Sequence, residues 1–240
     1  MAKPTKDIKK KRYFKIIAPK ILNSELIGKS YVYEPAKLIG KTISINLMNI
    51  TKDMNHQNIN IKFKVKKLNE KKEGISEIIG YEIMPSAVRR MIHLKRDKVS
   101  DSFVCRTSDN YRIKIKPMII TMYNTSKEKR TLIIKAVKYF IYNEAKNTTF
   151  ENLMNKIIKK KLQLSLKSYV KHIYPLKGAE IRVAKLETNI KTKELLEEDI
   201  KEYENIVKSS KKEKEKKKEE TMGIVNETEE KKEKKKENEE

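Results

Sequence analysis

The side chains with the most obvious chemistry are cations set beside aromatic rings. Lys9-Lys10-Lys11-Arg12 runs directly into Tyr13-Phe14, and Tyr111 adjoins Arg112. A guanidinium can hold a phosphate through two parallel hydrogen bonds and can stack on a base. Tyrosine and phenylalanine rings can stack on unpaired RNA bases. Either aromatic could instead be core, and for Phe14 the core is the better reading. A second group follows Pro85-Ser86-Ala87, where Arg89, Arg90, Lys95 and Arg96 have Asp97 as the nearest acid. Lys15, Lys20, Lys98, Arg106, Arg130 and Arg182 complete the candidate contacts to RNA. All of these residues hold or stack on a polyanion; none of them makes or breaks bonds.

Catalytic and metal-binding patterns are absent from the sequence. His56, His93 and His172 are scattered, and Cys105, the sole cysteine, has no histidine near it and alternates within an apolar stretch. A buried, unreactive thiol is the expectation there. No Cys/His spacing suits a metal, and no glycine-rich phosphate loop occurs among the six glycines. The expectation is a protein that is not an enzyme and uses no cofactor. Asp97, Asp101 and Asp109 lie among cations, where ion pairs or turns account for them.

Charge points the same way. The 240 residues carry 57 basic and 33 acidic side chains, a net +24. Residues 189–240 hold 15 Lys and 17 acids, which leaves residues 1–188 with 42 basic and 16 acidic side chains, a net +26. Such a body repels itself, and a polyanion relieves the repulsion while releasing counterions. Nucleic acid is the natural partner and an anionic membrane surface the alternative. The membrane reading lacks a basic amphipathic helix with aromatic anchors. No stretch approaches the ~20 apolar residues of a membrane span, and no signal-type apolar core follows the basic start. A single cysteine permits no internal disulfide, so a reducing cytoplasm is expected.

The elements that must position these residues are legible in outline. Residues 1–12 form a basic arm, 13–188 a folded body and 189–240 a charged tail. From Tyr13 to about Met84 the apolar period is two: Ile43, Ile45 and Leu47 alternate with polar residues, as do Ile59, Ile61, Phe63 and Val65. These are strands with one buried face. Lys62, Lys64 and Lys66 line the wet face of the second, either as edge protection or as an RNA-facing row. A turn at residues 69–74 leads to a strand ending near Ile83. The helix after Pro85 should turn Ala87, Met91 and Leu94 inward. Strands over Val99–Arg106 and Tyr111–Ile120 flank the turn Thr107-Ser108-Asp109-Asn110. From Ser126 the period becomes 3.6, with Ile133, Ala136, Val137, Phe140 and Ile141 in one stripe. Thr148 to Glu151 reads as a capping box for a helix that buries Leu153, Met154, Ile157 and Ile158. A short helix over Ser165–Ile173 and a strand over Glu180–Leu186 follow. In the tail, Leu196, Ile200, Tyr203 and Val207 fit one amphipathic helix, and residues 209–240 are low-complexity Lys and Glu, expected to be disordered.

In this order the motifs resemble the archaeal and eukaryotic small-subunit ribosomal protein family S-three-A-e. The likeness begins at Tyr13-Phe14-Lys15-Ile16-Ile17-Ala18-Pro19. It continues at Ile27-Gly28-Lys29-Ser30, where the family usually has Thr last, and at Gly40 to Leu47. It includes His93 to Asp101, with Asp97 in place of a serine, and Arg106 to Tyr111, with Asn110 in place of Gly. The fullest likeness is Ile173-Tyr174-Pro175-Leu176 with Ile181-Arg182-Val183 and Lys185. The resemblance spans residues 13–187 and excludes the tail.

The resemblance implies a β-barrel-like domain with helices on the platform of the small subunit, near the 3′ end of its RNA and the messenger exit. Implied partners are small-subunit ribosomal RNA, neighbouring small-subunit ribosomal proteins and messenger RNA near the exit. Together with the periodicities, the expected fold is α+β: a β-barrel-like antiparallel sheet of about six strands with three or four helices. The basic arm and the low-complexity tail flank it. The expected function is structural, in the ribosome; the alternative is a free RNA-binding or assembly factor acting in translation.

Overall fold

The computed structural model of the chain describes residues 10–187 and Tyr203. Lys9, the arm before Lys10, and the tail with its expected amphipathic helix and low-complexity run, Tyr203 apart, lie outside the described residues.

Nine strands are found among the described residues: β1 Arg12–Ile17, β2 Leu26–Val32, β3 Thr42–Asn46, β4 Ile59–Leu68, β5 Gly74–Ile83, β6 Lys98–Ser100, β7 Phe103–Arg106, β8 Arg112–Thr121 and β9 Leu176–Leu186. The five α-helices are α1 Leu47–Thr51, α2 Pro85–Met91, α3 Lys127–Lys146, α4 Phe150–Ile158 and α5 Lys161–Lys171. The strands form one sheet with the path β2-β1-β5-β9-β8-β6, from which β3–β4 and β7 branch. Strand β5 is the branch point. One of its edges carries β4 along its length. The other edge is shared: β1 joins in parallel at Gly74 and Ile75, and β9 joins antiparallel at Gly80 to Glu82. Strand β8 is built alike, with β9 on one edge and β7 and β6 end to end on the other.

This corrects the expected barrel of about six strands. The sheet is mixed, not purely antiparallel, and it stays open. Strands β2, β3, β6 and β7 each pair along one edge only. A barrel needs its terminal strands to pair with each other. Period-two patterning marks a buried face but says nothing about which edges meet.

Local departures have local causes. Leu47 opens α1 rather than closing a strand, because the Asn46 side chain accepts the Met48 N–H and caps a helix there. The stretch 99–106 is broken at Asp101-Ser102 into β6 and β7. The helix after Pro85 stops at Met91. Ala87 and Val88 are buried and Met91 is packed against the core, but Leu94 lies beyond the helix and is 94% exposed. Helix α4 is capped by Thr149, whose hydroxyl accepts the Asn152 N–H, one residue later than the capping-box reading. Helix α5 begins at Lys161, not Ser165. Strand β9 starts at Leu176 and bulges at Arg182, so Ile181 and Ala184 are the buried pair rather than Ile181 and Val183.

The core is built as the periodicities require. Helix α3 is capped by Ser126 and buries Ile133, Ala136, Val137, Ile141 and Ala145. With α4 and α5 it covers the apolar face made by Phe103, Cys105, Ile113, Ile115, Ile119 and Ile181. Truncating a fully buried member such as Leu153 to Ala costs ~2–5 kcal/mol in sites of this kind. A second, smaller cluster joins Ile16, Val32, Leu38 and Val65 behind β1–β2. Gly74 lies at that junction, where an added Cβ would sit 3.0 Å from Val65 Cγ1 and 3.6 Å from Ile16 Cγ1.

Candidate nucleic-acid interface

The candidate residues fall into separate groups. The first lies on β1–β2. The register pairs Tyr13 with Tyr31 and Lys15 with Lys29. Alternation sends Phe14 and Ile16 into the small cluster and leaves Tyr13 and Lys15 on the opposite, wet face. The Tyr13 and Tyr31 rings are 4.7 Å apart and tilted by 36°. Lys11 Nζ lies 5.6 Å from the Tyr31 ring and 5.1 Å from the Tyr33 ring, and Lys37 Nζ lies 5.6 Å from Tyr33. These are cation–π distances. The rings remain open to solvent, at 71% for Tyr13, 52% for Tyr31 and 45% for Tyr33. Lys10 and Arg12 are exposed as well, and Lys20 is exposed in the turn after β1. Tyr31, Tyr33, Lys29 and Lys37 were not among the sequence candidates. The signal was present as Lys29-x-Tyr31-x-Tyr33, which mirrors Lys11-x-Tyr13-x-Lys15 at period two.

The second group is α2 and the loop after it. Arg89 and Arg90 project to solvent, and Arg90 Nη2 donates to Asn58 Oδ1 at 2.7 Å. Lys95 takes a left-handed backbone, φ 62°, next to the exposed Leu94; Arg96 is half-buried and Lys98 exposed. Asp97 does not serve these cations. Its Oδ2 accepts the Thr125 backbone N–H at 2.6 Å and the Thr125 hydroxyl at 2.8 Å, and meets Arg130 Nη2 at 3.0 Å. The Thr125 backbone bond, then its hydroxyl, and then Arg130 hold the Asp97 carboxyl below the usual carboxylate range. Arg130 also donates through Nε and Nη2 to the Thr125 carbonyl, at 3.2 and 3.0 Å. Arg130 is therefore engaged in fixing the turn before α3.

The third group is the β7–β8 hairpin. Asn110 takes φ 60°, a left-handed turn conformation that asparagine tolerates. Arg106 is exposed and pairs across the strands with half-buried Arg112. The exposed Tyr111 ring packs 5.8 Å from Phe150, and Asp109 Oδ2 accepts the Phe150 N–H at 3.1 Å. The hairpin is thus docked on the start of α4. Tyr111 and Phe150 line a cavity of about 280 Å³ with Pro19, Ile21, Met154 and Leu186. Its lining also carries Glu77, Asp109 and Glu151 against one cation, Lys66, which Glu77 pairs at 2.7 Å, so its charge disfavours phosphate. Arg182 sits on the β9 bulge, half-buried.

The lysine row of β4 is not edge protection, because β3 and β5 flank that strand. Lys62 meets Glu82 at 3.4 Å and Lys66 meets Glu77 at 2.7 Å, both on β5. The Glu77 hydrogen bond and charge raise the Lys66 ammonium above its ordinary value. Among the described residues no His/Cys/Asp/Glu group could hold a metal ion, and no helix is long and apolar enough to cross a membrane. Cys105, the sole cysteine, is buried, and its thiol donates to the Ile113 carbonyl at 3.8 Å.

A mixed α+β body with several cationic surfaces and an aromatic face is the class of protein that fold and geometry define. Comparison with known proteins gives that class a family. The profile of the Ribosomal S3Ae family matches residues 2–189, and the chain belongs to that family. Similar proteins include the small ribosomal subunit protein eS1 of Nanoarchaeum equitans, 31% identical over 169 residues, which cover 70% of this chain and 85% of the relative. Those of Saccharolobus islandicus and Haloarcula marismortui are 28% identical over 178 residues and 27% over 183. They cover 74% and 76% of this chain and 85% of each relative.

Proposed function

We propose that this ribosomal protein is a structural, non-catalytic constituent of the small subunit, held on ribosomal RNA by its cationic surfaces. On this reading it sits on the platform near the RNA 3′ end and the messenger exit, beside other small-subunit proteins and close to messenger RNA, in the cytoplasm. The observation that carries the reading is the +26 body, which is nearly coextensive with the family match. Phosphate contacts fix the position of such a protein, while RNA shape selects where it binds. Sedimentation of small subunits through high-salt cushions tests it. The chain should remain with the subunit. Quantitative release into the supernatant would mark a loosely bound assembly or translation factor.

A further inference from the structure

We infer that the outer face of β1–β2 is a stacking platform for unpaired bases of single-stranded RNA, an inference that rests on the RNA-binding reading above. Tyr13, Tyr31 and Tyr33 all present their rings on this face, because Lys11 lies over two of them and Tyr13 is the cross-strand partner of Tyr31. The core does not account for them. The apolar side of the same strands is already filled by Ile16, Val32, Leu38 and Val65, and all three tyrosines are exposed. Cations alternate with the rings: Lys11 just before β1, Lys15 on β1, where Glu73 lies 3.9 Å from its ammonium, and Lys29 on β2. A row of rings with ammonium groups between them matches a single strand, whose bases offer free π-faces while its phosphates need cations. Duplex RNA does not match, since its bases are stacked on each other and only backbone and groove edges are offered. Lys11 and Lys37 are held over the rings before any ligand arrives, so little ordering is required on binding.

The test uses the full chain, a ten-nucleotide oligouridylate and an RNA duplex of the same length. The variant Tyr13→Leu/Tyr31→Leu should fold with the parent's melting temperature, because both rings are exposed. Its affinity for the oligouridylate should fall ~5- to 150-fold per base unstacked, with the salt slope unchanged. Duplex affinity should stay the same. Tyr13→Phe/Tyr31→Phe should bind like the parent. If the parent binds both RNAs and the leucine variant binds the oligouridylate equally well, the platform is overturned while RNA binding stands. A parent that binds neither RNA overturns both. A leucine variant that keeps its RNA affinity but fails to enter subunits marks this face as a protein contact and also overturns the platform. If the leucine variant unfolds, Tyr13→Gln and Tyr31→Gln made singly carry the same comparison.

Discussion

Asp97 shows how an acid within a basic sequence is claimed by the fold. In sequence it lies next to Lys95, Arg96 and Lys98, yet in space it binds Thr125 and Arg130. The folded state favours its charged form, so its contribution is full above the ordinary Asp value of about 3.9 and is lost as pH falls through the lower folded value. Asp97→Asn should therefore melt below the parent at neutral pH, and the gap should close under acid. Parallel thermal melts from pH 7 down to pH 2 measure this. A gap that is constant across that range would mean the charge is irrelevant. Tyr81 and Glu180 show the opposite condition. The Tyr81 hydroxyl and one Glu180 oxygen are buried without a partner among the described residues. Burial raises both groups above their ordinary values, against a weaker pull from Lys160 on Glu180.

Helix α2 carries the clearest test at the scale of an element. Arg89, Arg90 and Arg96 add little to the fold: the Arg90 bond to Asn58 is exposed, and exposed polar pairs are worth ~0–1 kcal/mol. Changing all three to Gln should leave urea unfolding within about 1 kcal/mol of the parent. RNA binding should weaken, and the salt slope should fall by up to about three. Equal binding by the variant would make this helix a solvated face. The elements themselves were legible wherever one face is buried and the repeat is long. Ile59 to Val65 and Ile133 to Ile141 fall where the periods put them. The failures have physical sources. Leu94 was extrapolated along a helix that the Ile92 backbone ends. Arg182 is a bulge, and a bulge leaves no mark in an alternating pattern until the partner strand is known. Tyr31 and Tyr33 carry little signal in the sequence because β2 is a weak strand, with Gly28 and Ser30 where apolar residues would announce it.

At the scale of the molecule, the charge sets the salt response. If at least ~6 phosphates are neutralised, affinity for RNA should fall roughly 10³-fold or more between 50 and 200 mM salt. Filter binding across that range measures it, and a flat response would point to a protein partner. The open sheet and its edges could not be read from the sequence, because pairing between distant strands is decided by packing and not by local pattern. That same topology bears on how the chain is made. Strand β9 is the wedge between β5 and β8, and it is the last of the described strands to be synthesised. Ribosomes add ~5–20 residues per second, so the 92 residues between Ile83 and Leu176 take roughly 5–18 s. Strand β5 waits for its β9 partner through that whole interval, and β8 waits for it from Thr121 onward. Completion of the sheet is thus tied to β9, and a ribosome stalled before Leu176 would display the unpaired edges of β5 and β8 to its surroundings.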